Sequence, residues 1–154
     1  MIFCTIGTQA PFDRFIKIID ELAPLLNEEI VAQTLNGKYE AKNIKTVGLL
    51  PPAKFNELMN KARVVVAHAG VGTILSALTS NIPIIIFPRL AQMGEHRNDH
   101  QLATAEQMKR LNYVHVAQDE ESLRSLLLQD LKPLKKIGPY ASETLIAELQ
   151  SVIG

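Results

Sequence analysis

The chain of 154 residues has no tryptophan, a single cysteine and only 5% aromatic residues, and its 16 Lys plus Arg cancel its 16 Asp plus Glu. Each shortage excludes something. One cysteine, Cys4, cannot build an internal disulfide framework and suits a reducing compartment. Scarce aromatics leave few platforms for stacking single-stranded nucleic acid, and a neutral balance does not fit a partner that is a polyanion. Nucleic acid is therefore not an expected partner. The longest apolar run, 82–88, is far shorter than the roughly 20 residues that span a bilayer, so no membrane span is expected either. No charged leader precedes an apolar core at the start, where Met1 runs directly into a strand pattern. No repeat, linker or low-complexity stretch interrupts the chain. With 47% apolar and 21% charged residues, the composition is that of an ordinary folded chain. The length suits one domain over residues 1–154 in the cytoplasm.

What is present alternates between two periods. Residues 1–6, 30–35, 44–50, 63–68, 82–87 and 113–117 read as short, mostly apolar strands. Between them, apolar residues at 12, 15, 16, 19, 22, 23 and 26 mark a helical stripe that Pro24 is expected to kink or shorten. Pro51-Pro52 opens a helix to about residue 62, and further helices are predicted over 74–80, 100–111, 120–131 and 140–153. Asn81 is placed as a left-handed helix stop. The alternation predicts an α/β fold, a Rossmann-like parallel sheet with helices on both faces. One join departs from it. Only residues 36–43 separate the second and third strands, too few for a helical crossover, and Asn36-Gly37 is a hairpin signal. That corner is expected to be irregular or antiparallel.

Two glycine turns follow strands. His68-Ala-Gly70-Val-Gly72-Thr73 sits between a strand and a helix, where backbone N–H groups and the helix dipole favour an anion; Leu75 replaces the third glycine of a dinucleotide fingerprint. Thr5-Ile-Gly7-Thr8 is the second. In the doubly wound strand order 3-2-1-4-5-6, strands one and four are neighbours, so both loops would line one crevice. After the fifth strand, 94–101 reads Gly-Glu-His-Arg-Asn-Asp-His-Gln. Asn98 and Gln101 have capping-box spacing, and the same side chains could instead bond sugar hydroxyls. His96 and His100, four apart, could share a helix face toward a metal, but lack a third ligand. His115, inside a strand pattern, reads as structural. No Asp-x-Asp, Gly-x-Ser-x-Gly or Gly-x-x-x-x-Gly-Lys-[Ser/Thr] occurs, so a bound diphosphate must be neutralised by amides and helix dipoles.

The blocks Thr5-Ile-Gly-Thr8 with Phe12-Asp13, Ala67-His-Ala-Gly-Val-Gly-Thr73, Pro83-Ile-Ile-Ile-Phe-Pro88 and Asp99-His-Gln-Leu-Ala103 occur in one order over nearly the whole chain. Together they resemble the carboxyl-terminal, donor-binding domain of family-28 glycosyltransferases of the GT-B type. The likeness is greatest to stand-alone versions: the catalytic subunit of the two-part N-acetylglucosaminyltransferase of lipid-linked oligosaccharide assembly, and bacterial exopolysaccharide counterparts. Asn81 stands where the family usually has glycine. The resemblance implies a UDP-sugar hexosyltransferase that works with inversion and needs no metal or other cofactor. Gly7 and Thr8 would face the donor phosphates or the acceptor, and His68, Gly70, Gly72 and Thr73 would hold the diphosphate. The backbone near Leu50 would read the base, while Glu95, His100 and Gln101 would address ribose or sugar hydroxyls. His68 is the candidate general base within this chain; a partner could equally supply it. A GT-B enzyme closes between two such halves, so the resemblance implies a heteromer with a membrane-associated, acceptor-binding subunit and a lipid-linked acceptor at the cytoplasmic face. The alternative is a non-catalytic nucleotide-sugar-binding regulatory module.

Overall fold

In the computed structural model, residues 1–134 are described except Gln9, Asn36 and Arg97, and beyond them Ala147 alone. The helix expected over 140–153, with its stripe of Ala141, Leu145, Leu149 and Val152, lies outside the described residues. Strands β1 (Ile2–Thr5), β2 (Ile30–Gln33), β3 (Lys45–Val47), β4 (Val64–Ala67), β5 (Ile84–Ile86) and β6 (His115–Val116) form one sheet. Its order is β3-β2-β1-β4-β5-β6, with every pair parallel. Burial of both sheet faces demands strands without a polar side, and β1, β4 and β5 are buried at every residue.

The period of two sorts the core. Ile2, Cys4, Val64, Val66 and Ile85 face helices α1 (Asp13–Leu26) and α5 (Glu120–Leu127). Phe3, Val65, Ala67, Ile84 and Ile86 face α2 (Pro52–Lys61), α3 (Val71–Thr79) and α4 (His100–Arg110). This is the Rossmann-like arrangement, with its switch point between β1 and β4. No helix among the described residues is long and apolar enough to cross a membrane.

Two expectations change. Pro24 does not shorten α1, which runs on to Leu26. Proline leaves the carbonyl four residues back without its helical donor, and here Asn43 Nδ2 donates to that oxygen, Asp20 O, at 3.2 Å. The join between β2 and β3 is irregular, as one alternative held, but it is not antiparallel: Val31, Ala32 and Gln33 lie in parallel register with Lys45, Thr46 and Val47. Side chains of α1 do the work of a crossover helix. The buried Asp20 carboxylate accepts the N–H groups of Lys42 (3.0 Å) and Asn43 (2.6 Å) and the Tyr39 hydroxyl (2.5 Å). Asp13 accepts the Lys38 N–H at 3.0 Å. Asn81 is left-handed as expected, with φ 56°.

Candidate functional site

The carboxyl ends of β1 and β4 open into a cleft of about 840 Å³. Gly7 and Thr8 line it from the loop after β1, His68, Gly70, Gly72 and Thr73 from the β4–α3 turn, Leu50 from the segment before α2, and His100 and Gln101 from the start of α4. Loops that the sequence separates by 60 residues and more meet because β1 and β4 are neighbours; the His68 N–H even donates to Thr5 O at 3.4 Å, extending the ladder into the loops. Glu95 does not line the cleft. Both of its carboxylate oxygens are taken by Arg14, at 2.7 and 2.8 Å, and one also accepts the Leu90 N–H.

His68 organises the centre. A side chain at Gly7 would meet the imidazole at 2.7 Å, and one at Gly70 would meet it at 2.5 Å. These two glycines thus make room for a ring, and Gly7 also takes a φ of 82° that other residues adopt at a cost. Burial first, then the nearby Arg89 and His96 charges, lower the His68 pKa to about 4, so the ring is neutral at pH 7. Gln101 Oε1 accepts the Arg89 N–H at 3.2 Å, which turns its amide nitrogen to His68 Nδ1 at 3.4 Å. With Nδ1 accepting, the proton sits on Nε2, the nitrogen nearest Gly7. A neutral imidazole of low basicity is a poor general base and a competent hydrogen-bond donor. The capping box read at Asn98 and Gln101 is not formed. Asn98 Oδ1 accepts the His100 N–H at 2.9 Å, but Gln101 points to Arg89 and His68 instead.

The cleft is built for negative charge. Among the described residues, no Asp or Glu lines it, whereas His68, Arg89, His96 and His100 do. Helix α3 starts there at Gly70 without a side-chain cap, so its amino-terminal N–H groups have no competing oxygen from the cap residue. Gly72 has nothing within 4 Å of a would-be side chain, leaving its backbone open to approach. His96 and His100 do not share a helix face, because α4 begins at His100 and His96 precedes it in a bend. Among the described residues, no group of three or more His, Cys, Asp or Glu could hold a metal ion. His115 lies in β6, where burial lowers its pKa.

Several lining residues outside the glycine turns carry no local motif, among them Gln33, Asn56, Ser76, Arg89 and Thr104. Thr5 donates to Gln33 Oε1 at 2.7 Å on the cleft floor, and Asn56, Ser76, Arg89 and Thr104 complete the polar wall. The usable signal was positional. Thr5, Gln33, His68 and Arg89 are polar residues at or just past the carboxyl end of a buried strand, the edge where open α/β sheets place ligands.

Solved structures share this architecture. ALG13, determined by NMR, superposes with a TM-score of 0.62 at 18% identity, covering 96% of this chain and 93% of that one. MurG of Acinetobacter baumannii gives 0.54 at 18% identity, over 83% of this chain and 41% of that one. The glycosyltransferase SsfS6 of Streptomyces sp. SF2575, complexed with thymidine diphosphate, gives 0.53 at 18% identity, over 99% and 35%. At such identities the likeness establishes the fold, and the chain spans about 40% or less of MurG and SsfS6. A search of curated proteins found no match. The sequence itself matches the model of the glycosyltransferase family 28 C-terminal domain over residues 1–153, and the chain belongs to that family.

Proposed function

We propose that the chain binds a UDP-sugar in this cleft and, together with an acceptor-binding partner, transfers the sugar with inversion. One observation carries the reading: in a family 28 domain, an uncapped helix start, an arginine and three histidines converge on a cleft of nucleotide-sugar size that no carboxylate among the described residues lines. The diphosphate lies against the first turn of α3, at Gly70, Gly72 and Thr73, with the His68 Nε2–H and the Gly7-Thr8 loop beside it. Leu49, Leu50, Pro52 and Phe55 supply the apolar wall that suits a base. His100, Gln101 and Thr104 suit ribose or sugar hydroxyls, and Ser76 lines the same wall. Glu95 leaves the ligand set and serves the loop that carries them.

In the transfer, an acceptor hydroxyl oxygen bonds to the anomeric carbon as the bond to the UDP oxygen breaks, and the hydroxyl proton passes to a base. Negative charge grows on the leaving diphosphate, where fixed dipoles stabilise it without a metal ion. The weak basicity of His68 favours a base from the partner. The longer glycosyltransferases, of which this chain spans little more than a third, support an acceptor half on a second chain; that this second chain is membrane-associated, with a lipid-linked acceptor at the cytoplasmic face, is part of the same proposal. Exopolysaccharide or glycan assembly is the corresponding process.

A second reading has one observation in its favour. Among the described residues, no carboxylate lines the cleft and His68 is a weak base, as fits a regulatory module that binds a nucleotide sugar without chemistry. Calorimetric titration with UDP, followed by transfer assays over a panel of nucleotide sugars with and without the partner, separates the readings. Absence of any nucleoside diphosphate binding overturns both. Binding without transfer in the complete complex leaves the regulatory one.

A further inference from the structure

Arg89 is 4% exposed, at the wall of the cleft, and among the described residues no carboxylate accepts from it. Its guanidinium donates to three carbonyl oxygens of the loop after β1: Ile6 at 2.9 Å, Ala10 at 2.7 Å and Pro11 at 2.7 Å. The carbon of the fork lies 4.6 Å from the centre of the Phe12 ring. A buried cation is costly unless dipoles or an anion surround it. Here the dipoles are present, and among the described residues the nearby Glu95 carboxylate acts on Arg89 through its charge while its oxygens bond to Arg14 and the Leu90 N–H.

We propose that Arg89 is a positioning residue for the anion this cleft takes: it holds the 6–11 loop in the shape that lines the cleft with Gly7 and Thr8, and leaves a desolvated positive charge for a diphosphate to complete. The Ile6–Gly7 peptide is trans, so the carbonyl that Arg89 grips sets the Gly7 N–H in the opposite direction, away from the guanidinium. The charge reaches the cleft, for it contributes to the lowered pKa of His68. A second arginine clamps the same pair of loops. Arg14 binds Glu95 and stands 4.7 Å over the Phe87 ring, so the 88–95 loop that presents Arg89 is itself fixed to the start of α1. Arginine suits this role because a planar fork can satisfy three carbonyls at once, which an ammonium group cannot do in the same geometry.

The inference rests on the reading of the cleft as a diphosphate site, and the test separates the two. Wild type, Arg89→Lys and Arg89→Met are compared by UDP titration at two salt concentrations, by thermal melting, and by amide exchange at Gly7 and Thr8 without nucleotide. Folded Arg89→Met is expected to lose about a hundredfold in UDP affinity, and Arg89→Lys about tenfold, because the lysine restores the charge but not the fork. Both variants exchange the Gly7 and Thr8 amides faster, and Arg89→Met shows the weaker salt dependence. Wild-type affinity, or wild-type exchange at those two amides, in folded Arg89→Met overturns the proposal. If Arg89→Met does not fold, the same result in Arg89→Lys overturns it. If the wild type binds no UDP, the diphosphate reading falls, and the exchange rates alone decide whether Arg89 holds the loop.

Discussion

Two arginines sit at opposite edges of the sheet, and they are completed differently. Arg63, just before β4, donates to the Glu28 carboxylate at 2.7 Å and to the carbonyls of Leu127 and Gln129 at 2.7 and 3.3 Å. Cation, anion and dipoles form a closed set that fastens the end of α5 to the amino edge. Arg89, just after β5, has dipoles and a ring, and no carboxylate among the described residues accepts from it; the Glu95 charge reaches it, but that carboxylate is bonded to Arg14. The amino edge is electrically closed in the folded chain, whereas at the carboxyl edge Glu95 pairs with Arg14 and, under the proposal above, a bound diphosphate completes Arg89. Such an imbalance separates groups that hold a fold from groups that wait for a substrate.

The comparison can be broken most directly at the carboxyl edge. Gly72→Val should lower UDP affinity by about a hundredfold or more, because the side chain fills the space the backbone leaves open, while Tm stays within about 3 °C. Calorimetry alongside a thermal melt checks both halves, and a comparable fall in Tm would mean that Gly72 is needed for packing instead. The next effect is in pH. Between pH 6.5 and 4 the unfolded chain takes a proton that half-buried His68, desolvated between the two turns, refuses. Stability should therefore be complete above pH 6.5 and fall as pH drops through that window, by on the order of 3 kcal/mol at pH 4. Denaturant titrations of wild type and His68→Gln isolate this term as their difference. The amino edge responds lower on the scale. The hydrogen bond from Arg63 holds the Glu28 carboxyl below its ordinary 4.5, so that pair survives until the pH falls below the usual carboxylate range.

Smaller still is the effect of Arg63→Met, which should cost about 1 kcal/mol of stability and leave UDP affinity unchanged. A loss of UDP binding in that variant would show that the two edges are coupled. The smallest expected change is none at all: UDP affinity and sugar transfer by the complete enzyme should survive EDTA, and loss rescued by Mg²⁺ or Mn²⁺ would show that a cation, not Arg89 and the α3 amides, balances the diphosphate.

The parts of the fold legible in the sequence are those that burial dictates locally. Val64–Ala67 and Ile84–Ile86 are apolar on both faces, so their place inside a parallel sheet could be read without tertiary information. Strand adjacency then followed from the common doubly wound order, and with it the meeting of Gly7 with Gly70. The join between β2 and β3 was not legible, because it is held by two carboxylates of the preceding helix, Asp13 and Asp20, accepting backbone N–H groups more than 20 residues away. The same limit applies in the cleft. Gln101 read as a cap from spacing, and the resemblance made Glu95 and Gln101 ligand groups, yet their partners are Arg14, Arg89 and His68, which no local pattern connects to them. Polar side chains with several possible partners are resolved by distance, and sequence carries little of that.

The imidazole between Gly7 and Gly70 also constrains how this site can change over time. A methyl group at position 70 would meet the ring at 2.5 Å and one at position 7 at 2.7 Å, so either is expected to fit only beside a smaller residue at 68. The three positions are therefore expected to vary as a set, so that stepwise drift preserves the trio and a variant library that samples them one at a time would miss every workable combination.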